Sequence, residues 1–136
     1  MNPILQDLQT AFMNELQSRY DQTGRGLQLS TNDIDRWTEI VGSTTRHAYD
    51  VIARHLAVGF HERRYPFWFC DAVVNAVIAF VYDDFFQRGE DFPALFYKIY
   101  LAFDAGEVER EGMDPIEVYT RPMIEEIVRN LAEEAG

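Results

Sequence analysis

Apolar residues recur along this chain at the spacing of helices and nowhere at the strict alternation of strands. Ile4, Leu8, Phe12, Leu16 and Tyr20 fall every four residues, with Leu5 and Ala11 beside them, which places one apolar face on a first helix. Asn2 and Pro3 supply its start, because an Asn side chain accepts from orphan N–H groups and proline tolerates the first helical turn. The helix is expected to end near Tyr20, since Gly24 and Gly26 follow and residues 21–30 hold no sustained apolar period.

From Asn32 a second pattern runs through Ile34, Trp37, Val41, Ala48, Ile52, Leu56 and Phe60. Gly42 and Ser43 interrupt it, and glycine inside a helix costs about 1 kcal/mol relative to alanine, so a bend is expected there. Arg46, Asp50 and Arg54, four residues apart, read as a solvated ion-pair ladder. Pro66 opens a third helix that should reach Gln87, apolar nearly all round, the signature of a helix surrounded by others. Asp71 and Asn75 break that run and Asp83 and Asp84 end it, which argues against a membrane span.

Asp91, Phe92 and Pro93 begin a fourth helix, with Leu95, Phe96, Ile99, Tyr100 and Phe103 inward and Gly106 as its stop. Asp114 stands three residues before Glu117, the spacing of a capping box. Pro122 lies too deep for that helix's first turn, so the last helix is kinked or restarts with Thr120 as a new cap. Met123, Ile124, Ile127, Val128 and Leu131 continue the stripe. The expected architecture is all-α: a single-domain bundle of five or six helices spanning 1–136, around a central apolar helix at about 66–87.

Composition agrees with one folded domain. The chain has 136 residues, 47% apolar and 14% aromatic, enough apolar area to offset ordering entropy in one core. Charge narrows the partners. A formal net charge of −11 repels phosphate backbones and anionic membrane surfaces, so neither nucleic acid nor a membrane is an expected partner. Lys98 is the one lysine against 11 arginines, a bias read as coding composition. The acidity is uneven: from Asp83 onward fourteen acids face five bases, and the stretch 104–117 alone holds six acids and one arginine. Cys70, the single cysteine, sits in an apolar run and reads as a small core hydrophobe. The first twenty residues resemble an amphipathic helix rather than a leader, so a cytoplasmic address is expected.

Catalytic signatures are few. Gly24 and Gly26 lack the Lys-Ser/Thr of a phosphate loop, and no serine sits in a nucleophile elbow. No glutamate has a histidine three residues later, as a di-iron bundle requires. His61-Glu62-Arg63-Arg64-Tyr65 misses the zinc-protease motif at its second ligand. His47, Asp50 and His55 share a broad helical face that is open to Asp71 from the central helix, but their spacing fits no coordination pattern, and they read as boundary side chains paired with carboxylates. Neither a metal nor a cofactor is expected. Asp71 and Asn75, one turn apart in the most apolar helix, form the candidate buried polar site, read mainly as a structural hydrogen-bonding pair.

The expected function is therefore a non-enzymatic interaction domain whose acidic C-terminal half binds a basic protein partner. Asp83, Asp84, Asp104, Glu107, Glu109 and Glu111 are its candidate contacts, because a summed acidic field accelerates capture of a cation. A concrete form is an immunity or antitoxin-type inhibitor whose carboxylates mimic phosphate in a nuclease groove, an analogy of charge and size alone. Phe85, Phe86, Tyr97 and Tyr119 offer aromatic anchors, although most read as core. The rival expectation is a small-molecule- or metal-binding bundle, with an enzyme as one form of it, around Asp71, Asn75, Tyr82 and the histidines of the second helix.

Overall fold

The computed structural model describes residues 3–24, 26–89, 91–109 and 111–135, without the side chains of 3–6 and 135. It contains six α-helices: α1 (Pro3–Thr23), α2 (Thr31–Val41), α3 (Thr45–His61), α4 (Phe67–Arg88), α5 (Ala94–Asp104) and α6 (Arg121–Ala135). A π-helical turn, Ile116–Thr120, leads directly into α6, and no β-strand occurs among the described residues. The expected Asn2 cap and the side chains of Ile4 and Leu5 lie outside the described residues.

The expected bend at Gly42 is a complete break. Gly42 adopts φ +75° and its N–H donates to Thr38 O at 2.9 Å, a left-handed stop that glycine takes without a Cβ clash. Thr44 then caps α3, its hydroxyl accepting from His47 N at 3.1 Å. Helix α2 begins one residue before the apolar pattern suggests, because Ser30 and Asp33 form a reciprocal capping box.

Helix α3 packs on α2, α4, α5 and α6, while α1 closes the bundle against α2 and α4. The interior is aromatic and branched: Trp37, Phe69, Phe96 and Phe103 are fully enclosed with Met13, Leu16, Leu56, Ile99 and Ile124. Trp37 also ties α2 to α3, its indole N–H donating to Ala48 O at 2.8 Å. Cys70 is buried as expected, and enclosure pushes its thiol pKa far up.

Two local expectations change. Asp50 is not a rung of a solvated ladder: it is half-buried and accepts from Phe96 N at 2.8 Å, satisfying an orphan N–H in the first turn of α5. Burial accordingly raises its pKa, opposed by that hydrogen bond. Thr120 is not a new cap, since its hydroxyl donates to Ala102 O at 2.7 Å and locks the π-helical turn onto α5. The wider turn before Pro122 accommodates the ring without a helix restart. Gly106 belongs to the same contact, because a Cβ there would overlap the Thr120 hydroxyl and the Phe67 ring.

Candidate functional site

Helix α4 presents one face along positions 68, 71, 75, 79, 82 and 86, the repeat of a helical stripe. At its N-terminal end Trp68, Asp71, Ala72, Asn75 and Ala76 meet Tyr20, Gly24, Gly26 and Leu27 from the end of α1 and the turn after it. Together they line an open groove of about 520 Å³. Asp71 lies on the groove wall only 5% exposed, and its Oδ1 has no hydrogen-bond partner among the described residues. Trp68 stands beside it 54% exposed, an unusual position for an indole that is not part of the core.

The carboxyl group of Asp71 faces other acids. Burial, then the neighbouring Glu107, then Asp104 raise its pKa to about 8, so at neutral pH it carries a proton. Glu107 is raised as well, by burial and by contact with Asp104. Asn75, exposed at the groove mouth, points its Nδ2 at Glu107 Oε1, 3.5 Å away. Thus the candidate pair divides: Asp71 is buried and incompletely bonded, whereas Asn75 is a surface residue that links α4 to the connection after α5.

The stripe continues into an aromatic ribbon. Tyr82 lies 6.3 Å from Phe86 and 6.0 Å from Phe92 between ring centroids, Phe85 lies 5.3 Å from Phe92, and Phe92 lies 5.1 Å from Tyr97. Tyr97 stacks on Tyr100 at 6.0 Å, and Asp104 and Glu107 raise the Tyr100 pKa further along α5, after burial as the main cause. Phe86 is 75% exposed, and Tyr82, Phe85, Leu101 and Val108 are also exposed. The last turns of α4 are therefore not surrounded, although their apolar composition resembles that of a core helix. Of the aromatic residues read as mostly core, Phe85 and Phe86 are exposed, while Tyr97 and Tyr119 are half-buried.

The acidic candidates differ in how free they are. Asp83, Asp104, Glu107, Glu109 and Glu111 are exposed, and Asp104 and Glu107 act on both the Asp71 carboxyl and the Tyr100 hydroxyl, raising their pKa values after burial as the main cause. Asp84 is engaged inside the fold: its Oδ2 accepts from the Tyr49 hydroxyl at 2.6 Å, and its Oδ1 lies 3.6 Å from Arg88 Nε.

The histidines of the former second pattern do not join Asp71. His55 bonds Gln9 Oε1 at 2.7 Å and packs edge-on against Trp37, with burial lowering its pKa, while His47 is exposed. His61 and Tyr65 do not share a helix, because α3 ends at His61 and the following turn runs through Arg63 at φ +62°. No group of three or more His, Cys, Asp or Glu side chains suited to one metal occurs among the described residues. A second groove of about 550 Å³ lies between α5 and α6, lined by Leu95, Lys98, Ile127 and Leu131, but no unpaired buried side-chain atom is found there among the described residues.

Helical spacing alone places Trp68 with Asp71 and Asn75, at i, i+3 and i+7, and that signal was available in the sequence. The approach of Tyr20, Asp104 and Glu107 was not, because it depends on how α1 and α5 pack against α4. The arrangement defines an all-α bundle in which helix α4 carries an exposed aromatic ribbon at one end and, at the other, a groove whose wall holds one buried aspartate. No known family model, no curated protein and no solved structure matches the chain. No described helix is long and apolar enough to cross a membrane.

Proposed function

We propose that the protein is a non-enzymatic interaction domain that docks a basic protein partner on the α4–α5 ribbon, with an immunity or antitoxin-type inhibitor of a nuclease as the concrete form. The observation that carries this reading is the continuity of Phe86, Phe85, Tyr82 and Tyr97 with Asp104 and Glu107 on one exposed face. Exposed aromatic side chains supply desolvated anchors, and the bordering carboxylates steer a cationic surface onto them. Contiguous exposed apolar residues of this kind mark interaction surfaces on soluble domains. Self-association is the weaker option, because two copies of a chain with a formal net charge of −11 repel each other.

The test is a titration of isotope-labelled protein with a synthetic amphipathic helix of alternating arginine and leucine faces. Resonances of residues 82–107 should shift, and affinity should fall steeply between 50 and 300 mM salt, roughly as screening of exposed charges requires. The double variant Tyr82→Ala/Phe86→Ala should weaken binding at least about tenfold without altering the far-ultraviolet spectrum. Salt-independent binding, shifts outside the ribbon, or a dimer that dissociates in that variant would overturn the reading.

A further inference from the structure

The turn from α3 to α4 places an arginine where its backbone geometry favours glycine. Arg64 N donates to Gly59 O at 2.8 Å and Arg63 N to Phe60 O at 3.1 Å, the paired bonds of a left-handed helix stop. The residue at the left-handed position is Arg63, at φ +62°, whereas the other positive-φ residues among those described are all glycines. A Cβ in that conformation crowds the backbone, a cost that glycine avoids. Nothing in the described fold offsets it, since the Arg63 guanidinium makes no hydrogen bond or ion pair among the described residues and acts on Glu117 only through its charge. Strain kept for a side chain without structural partners points to a use outside the fold.

Arg63 lines a pocket of about 390 Å³ together with Arg64 and Arg121, between this turn and the π-helical turn before α6. Arg121 is fixed on one side only. Its guanidinium carbon lies 4.5 Å from the Phe60 ring centroid and its Nε donates to Glu117 Oε2 at 2.7 Å, while its Nη groups make no hydrogen bond among the described residues. The two acids of the lining are already engaged, Glu117 by that bond and Asp114 by accepting from Ile116 N at 3.0 Å. Three arginines against two acids leave this lining one positive charge in excess, whereas the groove at Asp71 and the groove between α5 and α6 hold more acids than bases.

We infer that this pocket receives a small organic carboxylate, bound by Arg63 and by the open fork of Arg121, with its apolar stem against Phe60, Phe67 and Ile116. Guanidinium forks pair with carboxylates through parallel charge-assisted hydrogen bonds, and an arginine already fixed by stacking makes them with little further loss of freedom. One excess positive charge suits a monoanion; a phosphate dianion would meet Asp114, Glu117 and the field of a chain at −11. The volume lies within the range of small-molecule sites. The pocket stands at the Phe67 end of α4 and the ribbon at the Phe86 end, so neither depends on the other.

The probe is 3-phenylpropionate, with the neutral 3-phenylpropanamide and the dianion phenyl phosphate as controls. Added to the isotope-labelled full chain, phenylpropionate should shift the Arg121 Nε–H resonance and the amides of Arg63, Arg64, Tyr65 and residues 116–121. Its dissociation constant should be on the order of millimolar, as a ligand of this size allows, while the amide causes no shift and phenyl phosphate binds more weakly. Arg63→Gly should lose about tenfold in affinity and gain about 2–4 °C in melting temperature, because it removes the ligand contact and the strain together. Arg121→Gln should also lose about tenfold, and Glu117→Gln should bind about threefold more tightly, since it removes a competing carboxylate. Equal shifts from the amide, tighter binding of phenyl phosphate, weaker binding by Glu117→Gln, or unchanged affinity in Arg63→Gly would each overturn the inference. So would a lower melting temperature for Arg63→Gly, which would assign the arginine to the C-terminus of α3, where a cation favours the helix dipole.

Discussion

Asp33 and Asp71 are both 5% exposed, on helices that both pack against α1, and they represent opposite uses of a buried carboxylate. Asp33 accepts from Arg19 Nη1 and Nη2 at 3.0 and 2.8 Å, from Arg36 at 3.2 Å and from Ser30 N at 2.9 Å, so both of its oxygens are bonded. Glu15 joins the same arginines at 2.6 Å, completing a four-residue network between α1 and α2. Arg19 accordingly holds the Asp33 carboxyl well below the usual carboxylate range. Asp71 has other acids where Asp33 has arginines, and one oxygen without a donor among the described residues. Equal burial thus says little about role; the partners distinguish a saturated ionic clamp from a carboxyl group held among other acids.

The same substitution at both positions should break this comparison most sharply. Asp33→Asn removes the charge from a saturated network, and hydrogen bonds to charged groups contribute about 1.5–3 kcal/mol each. Because Arg19 and Arg36 are partly exposed and can return to water, the net loss should be about 2 kcal/mol by urea denaturation at pH 7. Asp71→Asn should cost far less there and should stabilise the fold at pH 9 by about 1 kcal/mol, since it removes a carboxylate that would otherwise ionise in place. Equal destabilisation by the two variants would refute the distinction.

The pH dependence should separate them next. The folded-state pKa of Asp33 is depressed, so its contribution is present above about pH 4 and is lost as pH falls below that value. The folded-state pKa of Asp71 is raised, so its contribution is complete below about pH 4 and is lost as pH rises to about 8. Denaturation midpoints should therefore decline on both sides of a mildly acidic maximum, with Asp33→Asn flattening the acid limb and Asp71→Asn the alkaline one. The smallest expected effect is that of Asn75→Ala. This exposed side chain makes one long hydrogen bond, so stability should change by no more than about 0.5 kcal/mol, and a larger loss would mean that Asn75 belongs to the fold rather than to the groove.

Most of the helices were legible in the pattern because each carries its own period and punctuation. Pro66 opens α4 one residue before Phe67, and Gly42 stops α2, as local chemistry requires. Thr120 and Asp50 were misread for a common reason: both satisfy backbone groups on α5, far away in sequence, where local spacing carries no information. The Asp33 clamp was missed too, although the Ser30 to Asp33 spacing of its capping box was visible. Half of the candidate site was likewise readable, in Trp68, Asp71 and Asn75 along one helix, and half was not.

The amino-acid order alone specified an acidic all-α chain, the helix boundaries to within a few residues and a polar interruption in its most apolar helix. Those properties follow from contacts within a few turns and from composition. Which apolar positions of α4 would stay outside, and whether acids or arginines would meet each buried aspartate, was decided by packing. Phe69 and Phe86 are the same residue on the same helix, and they differ only in whether another helix covers them. Asp33 and Asp71 differ in the same way, because the charge that surrounds a carboxylate comes from whichever helices pack beside it.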